Sequence, residues 1–219
     1  MLDWVHGALE RVLAPSGWTG PFYDVASDSI VARHRDHGVL PVASLSDGVR
    51  NLLAMVADAA FRAAKLNPDL GPGGSHGIVL IDEVDMHLHP AWQQRVLLDL
   101  LDAFPKIQFV VTTHSPHVVS TVPRDCVRIL GPERGWEPDR RTEGLDGDSA
   151  LAEVFGVDPE PPVEVVATLR RYRELAEQGL AGSPEARALR QDLERVLGAS
   201  DPRLTSIDAL IRLRKHLRR

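Results

Sequence analysis

GIVLIDEVDMHLHP, residues 77–90, decides how the rest of the chain is read. Four apolar residues, Ile78-Val79-Leu80-Ile81, follow Gly77 and end in two adjacent acids, Asp82 and Glu83. A continuous apolar run of this length predicts a strand buried on both faces, as in parallel sheets. In open α/β sheets ligands sit beyond the carboxyl ends of the strands, which is where Asp82 and Glu83 fall. Holding two acids together at the edge of a core costs free energy, through desolvation and mutual repulsion. The pair therefore points to a cation or a water that uses it. A strand end that is acidic and simply solvated is the plainer alternative.

Downstream, Pro90 suits the first turn of a helix whose buried stripe is Trp92, Val96, Leu97, Leu100, Leu101 and Phe104. IQFVVTTHSPH, residues 107–117, then predicts a second buried strand over 107–112 with a polar exit that carries His114. Strand, helix and strand over such short connections make a βαβ unit and imply parallel pairing. Upstream, LSDGVRNLLAMVADAAFRAAKLNP, residues 45–68, is helical. Val49, Leu52, Leu53, Val56, Ala60, Phe61 and Ala64 recur at helical spacing, Ser46 is placed to cap the start, and Asn67-Pro68 ends the helix. Before it, residues 29–45 alternate around the turn signal Asp36-His37-Gly38 and predict a hairpin. Leu2, Val5, Leu9, Val12 and Leu13 form a short first helix, stopped by Pro15 and Gly17.

After the second strand, VRIL at 127–130 predicts one more strand, and residues 131–149, polar and rich in Gly and Pro, a linker or long loop. The remainder is helical: a short helix near 151–155, one over 163–178, one over 183–197 and a last one from about Pro202. The middle two form an antiparallel hairpin. The expected organisation is thus an α/β region over 1–130, a linker or long loop over 131–149 and a helical region over 150–219.

Composition bounds the function without naming it. At 219 residues, 43% hydrophobic and 26% charged, the chain is an ordinary globular one. A net charge of −6 argues against a wholesale electrostatic grip on nucleic acid. The single cysteine, Cys126, excludes an internal disulfide and fits a reducing compartment. The longest apolar stretch, 52–64, is broken by Asp58 and Arg62, and the first residues contain no basic region before an apolar core. A cytoplasmic protein without a membrane segment is expected. The basic end RLRKHLRR, residues 212–219, reads as a solvated helix terminus, with contact to nucleic acid or an acidic partner as the alternative.

Three segments carry the chemistry. Ser46 and Gly48 begin a long helix, where unpaired backbone N–H groups favour phosphate; an ordinary N-cap is the simpler reading. Asp82 and Glu83 end the first strand. His114 ends the second, so that adjacent parallel strands bring it and Glu83 to one crevice.

Taken together, LSDGVR, IVLIDE, EVDMHLHP and TTHSP over residues 45–116 resemble, in order, the signature motif, Walker B strand, D-loop and switch histidine of an ABC-type ATPase head of the SMC and RecF kind. HLHPAWQ and FVVTTHSP most resemble the bacterial ATPases called AAA_21 or virulence-associated ATP-binding proteins, whose relatives include Septu-type and retron anti-phage ATPases. The resemblance implies the C-terminal lobe of a P-loop NTPase head with a parallel-sheet core and a helical extension. It also implies ATP and Mg²⁺ as cofactors and a set of roles. Asp82 would hold Mg²⁺ through a water and Glu83 would polarise the attacking water. His114 would sense the γ-phosphate, and Ser46 and Gly48 would contact the γ-phosphate held by an opposite head. Asp85 would lie in the loop coupling the two sites. Implied partners are a second head, as a homodimer or a P-loop-bearing half, and a nuclease or other effector in anti-phage defence or DNA metabolism.

The chain departs from that pattern in one respect. GxxxxGK[ST] does not occur in it, and the Gly-rich loop at 71–77 lacks a lysine and follows the signature. The expectation is an N-terminally shortened head: a gene fragment, a misplaced start or one half of a split ATPase. A non-catalytic half-head that binds a partner is the main rival reading. A metal-dependent hydrolase using Asp82, Glu83, Asp85, His87, His89, His114 and His117 is another, although His87 and His89 lack the i, i+4 spacing of two ligands on one helical face.

Overall fold

The decisive stretch forms β4 (Gly77–Ile81), paired in parallel with β5 (Ile107–Val111) from Gly77↔Ile107 to Ile81↔Val111. This is a computed structural model that describes residues 2–70, 73–131 and 135–217. Gly71 and Pro72 of the Gly-rich loop and Arg218 and Arg219 of the basic end therefore lie outside the described residues. The described chain divides into two units, residues 1–157 and 158–219.

In the first unit, α1 (Leu2–Leu13) precedes a three-stranded antiparallel sheet of β1 (Phe22–Asp24), β2 (Ser29–His34) and β3 (Gly38–Pro41) in that order. The expected hairpin is β2–β3, with His34 opposite Gly38. Next comes α2 (Asp47–Leu66), whose buried stripe is Val49, Leu52, Leu53, Val56, Ala60, Ala63 and Ala64. Phe61, expected on that stripe, is 45% exposed, because the register of the others turns it to the flank. Between β4 and β5 the expected single helix is two, α3 (Pro90–Gln93) and α4 (Val96–Ala103). Gln94 and Arg95 interrupt the helix, and Val96, Leu97, Leu100 and Phe104 are buried as expected, but Leu101 is 47% exposed. Beyond β5 lies α5 (Pro116–Val119), then the hairpin of β6 (Ile129–Leu130) and β7 (Gly135–Trp136), and α6 (Gly147–Glu153). The segment 131–149, expected as a linker, thus holds β7 and the fully buried Thr142, whose hydroxyl donates to the Val122 carbonyl at 2.6 Å.

One expectation fails in an informative way. Val79 and Ile81 of β4 pack, half-buried, against the core formed with α1, α2 and α4, but Ile78 and Leu80 are 67% and 76% exposed. Successive strand side chains point to opposite faces, and among the described residues only one face of the β4–β5 pair is covered. An unbroken apolar run asks for cover on both faces, and here it is met on one.

The second unit consists of α7 (Glu164–Gln178), α8 (Pro184–Leu197) and α9 (Pro202–Leu217) around Leu169, Tyr172, Leu175, Leu193, Leu204 and Ile207. Ser183 caps α8 by accepting from the Ala186 N–H at 3.1 Å, and Gly179, with φ 82°, closes α7. Arg190 of α8 forks onto Asp208 of α9 at 2.9 and 3.0 Å, which pins the pair at a half-buried position. No helix among the described residues is long and apolar enough to cross a membrane.

The break in the 90–104 helix makes a measurable distinction. Leu100→Ala, at a fully buried site, should cost roughly 2–5 kcal/mol, whereas Leu101→Ala should cost less than about 1 kcal/mol. Urea denaturation of the two variants checks this burial pattern; equal losses would place Leu101 in the core beside Leu100.

Candidate functional site

The parallel ladder does not stop where the strands do. The Thr112 N–H donates to the Ile81 carbonyl at 3.0 Å, and the Val84 N–H donates to the Thr112 carbonyl at 3.0 Å. These two bonds hold the exits of β4 and β5 side by side. The Thr112 hydroxyl donates to the Asp82 carboxylate and accepts from the Glu83 N–H at 2.8 Å. One hydroxyl therefore fixes both acidic residues: it orients the side chain of Asp82 and the backbone of Glu83. Both carboxylates remain exposed at the strand end.

Glu83 itself sits at φ 50°, in the left-handed region that a residue with a long side chain seldom occupies, and His87 sits at φ 63°. Each such residue costs on the order of 1–3 kcal/mol, so the surroundings must enforce the turn. They do so through the Met86 N–H to the Glu83 carbonyl at 2.9 Å and the Leu88 N–H to the Asp85 carbonyl at 3.0 Å. Asp85 is half-buried and accepts from the Thr113 hydroxyl of the neighbouring strand exit. His114 follows directly and is exposed. The structure thus brings Asp82, Glu83, Asp85 and the backbone of His114 to the carboxyl end of one strand pair.

Ser46 and Gly48 are reached from another side. Ser46 occupies the N-cap position of α2, yet its side chain makes no capping bond, contrary to the expected cap; it is exposed. Gly48 is buried, and a Cβ placed on it would lie 2.3 Å from the His87 carbonyl oxygen. The absence of a side chain at Gly48 lets α2 rest on the 82–88 turn, so the close approach this glycine permits in the chain is to protein backbone. Arg50 folds back to pair with Asp47 and donates to the Ala43 carbonyl at 3.2 Å.

Of the residues of the hydrolase reading, two histidines are engaged elsewhere. His89 caps α3 through Nδ1, which accepts from the Ala91 N–H at 3.2 Å, and the Nδ1 atom of His117 lies 3.5 Å from Gln94 Nε2. No group of three or more His, Cys, Asp or Glu side chains is gathered to hold a metal among the described residues.

Three residues escaped the sequence reading: Thr112, Thr113 and Gln93. The two threonines were readable in principle, because hydroxyls at a strand exit next to an acidic exit have acceptors within reach. Gln93 had no such signal, since it lies within a predicted helix and nothing in the sequence sets it opposite Ser115.

Comparison with known proteins matches residues 23–120 to AAA_21, described as "AAA domain, putative AbiEii toxin, Type IV TA system". Residues 23–120 are thus similar to an AAA_21 domain. It is 36% identical over 170 residues to the Retron Ec83 probable ATPase of Escherichia coli, covering 77% of this chain and 31% of that protein. To the Retron Vc95 probable ATPase of Vibrio cholerae serotype O1 biovar El Tor it is 38% identical over 149 residues, covering 64% of this chain and 29% of the relative. To Septu protein PtuA of Bacillus thuringiensis it is 51% identical over 90 residues, covering 37% and 23%. The chain spans about a third of the length of the retron proteins it matches. The AAA_21 match contains Ser46, Gly48, Asp82, Glu83, Asp85 and His114.

The seating of α2 on the acidic turn is open to a direct check. Gly48→Ala places a methyl group against the His87 carbonyl and should destabilise the first unit by roughly 1–3 kcal/mol, read as a lower urea midpoint at unchanged m-value. A neutral outcome would mean that the helix does not rest there.

Proposed function

We propose that this chain contributes the water-activating half of an ATP-hydrolysing site, completed by a phosphate-binding loop outside these 219 residues. Asp82 holds Mg²⁺ through a water, Glu83 polarises the attacking water as general base, and His114 senses the γ-phosphate. Ser46 and the first-turn N–H groups of α2, with Gly48 among them, meet the γ-phosphate held by a second head. Asp85 sits in the loop between the two sites. The observation that carries the reading is the strand exit. Two exposed acids are fixed by one threonine hydroxyl on the strand that delivers the histidine, and all of them lie within an AAA_21 match. The exposed hydroxyl of Ser46 supports its part, because it makes no bond to the first turn of α2 and can turn its O–H toward a ligand there.

Phosphoryl transfer needs little covalent chemistry from the protein; positioning and charge stabilisation supply most of the rate. A carboxylate at Glu83 suits the base role because the water must be oriented and partly deprotonated as it attacks. We extend the proposal to an ATPase coupled to an effector in anti-phage defence and working in the cytoplasm; the retron relatives, named probable ATPases, support its ATPase part. The exposed apolar residues Ile78 and Leu80 suit coverage by the remainder of such a head.

ATP turnover should appear when the chain is joined to, or mixed with, a P-loop-bearing segment encoded beside it. In that assembly Glu83→Gln should lower kcat by roughly 10²–10⁴-fold with ATP still bound, and His114→Ala should lower it by roughly 10²–10³-fold. Phosphate release and nucleotide binding measure the two separately. The absence of P-loop GxxxxGK[ST] from these residues favours one rival, a partner-binding half-head, and binding without turnover in every combination would establish it instead.

A further inference from the structure

Gln93, the last residue of α3, has every polar atom of its side chain engaged by the loops around the site. Its Nε2 donates to the Leu88 carbonyl at 3.0 Å and lies 3.4 Å from the Asp85 carbonyl, while its Oε1 accepts from the Ser115 hydroxyl at 2.8 Å. The opposite amide orientation is excluded by chemistry, since it would set a carbonyl oxygen against two others. Ser115 is committed just as fully. Its oxygen accepts from the N–H groups of His117 and Val118 at 3.1 and 3.3 Å, capping α5, and its one hydrogen goes to Gln93. Ser115 directly follows His114, and Asp85 lies two residues after Glu83. The Thr113 hydroxyl adds a parallel tie by donating to Asp85 and accepting from the Ser115 N–H at 3.0 Å.

We propose that Gln93 is a positioning residue that joins the Asp85–Leu88 turn to the loop bearing His114, so that Glu83 and His114 are set together. The proposal rests on the ATPase reading above for its functional consequence, but the coupling itself is a property of the nucleotide-free chain. Neither loop can shift without breaking a bond to Gln93 or carrying the other with it. Because Gln93 is half-buried, a donor or acceptor stranded there is costly, which makes the joined arrangement the stable one. The residue touches no reacting atom in this scheme; it acts through Leu88, Asp85 and Ser115.

Two variants of similar length separate the bonds. Gln93→Glu keeps the acceptor for Ser115 and removes the donor to both carbonyls, and Gln93→Met removes both. Hydrogen exchange of the 219-residue chain without nucleotide should show amides in 84–88 and 114–118 exchanging about tenfold faster in both variants, with α1 and α2 unchanged. In the ATP-hydrolysing assembly, kcat should fall about 10–100-fold while KM for ATP stays within about threefold, because misplacing the two groups costs rate before affinity. Adding Ser115→Ala to Gln93→Met should cost less than the sum of the single changes. Faster exchange in one loop alone, or in neither, overturns the coupling. If Gln93→Met does not fold, Gln93→Glu alone decides, since it preserves shape. A wild-type chain that never hydrolyses ATP would defeat the preceding proposal and leave the exchange result to judge this one.

Discussion

The architecture of the site depends on the parallel register of β4 and β5 being carried past the strands. Ile81 and Thr112 continue the ladder, Val84 closes it, and the Thr112 hydroxyl fills the gap between them. A shift of one residue would turn Thr112 toward the other face and leave the Asp82 carboxylate and the Glu83 N–H without their shared partner. The buried side of the pair resists such a slip, since Val79, Ile81 and Phe109 pack on the helical core while Ile107 is buried within it. Hydrophobic packing thus sets the position of the acids, because Ile81 leads directly into Asp82.

Around this ladder the chain accepts local cost. Glu83 and His87 hold left-handed backbone conformations, and two acids and a histidine gather at one edge. The compensation is a dense set of hydrogen bonds from Thr112, Thr113, Ser115 and Gln93, together with the packing of Gly48 against the His87 carbonyl. Strain held by surrounding structure is a feature of sites whose groups must be in place before a ligand arrives. The helix that follows Ser46 is fastened to the same turn through Gly48, so the start of α2 and the acidic segment pack together.

The exposed side of the strand pair gives the opposite impression. Ile78, Leu80 and Val110 present apolar surface that a free strand end does not require. Their residue types are those of a sheet covered on both faces, and the curated relatives are about three times as long as the matched region.

By itself the sequence determined what depends on neighbours along the chain. The positions of the two central strands, the long helix after Ser46, the βαβ order and the place of Asp82, Glu83 and His114 at strand ends were all legible. Apolar periodicity and turn chemistry act over a few residues and can be read there. The tertiary structure decided what depends on packing between distant segments. It broke the 90–104 helix, turned Phe61 and Leu101 outward, left Ile78 and Leu80 uncovered and released Ser46 from its cap. It also assigned the buried Gly48 to the His87 carbonyl and joined Gln93 to Ser115. The acids were visible as letters, but their orientation belongs to Thr112, about thirty residues away. Hydrogen bonds of that reach have no periodic trace, because they exist only after the strands have paired.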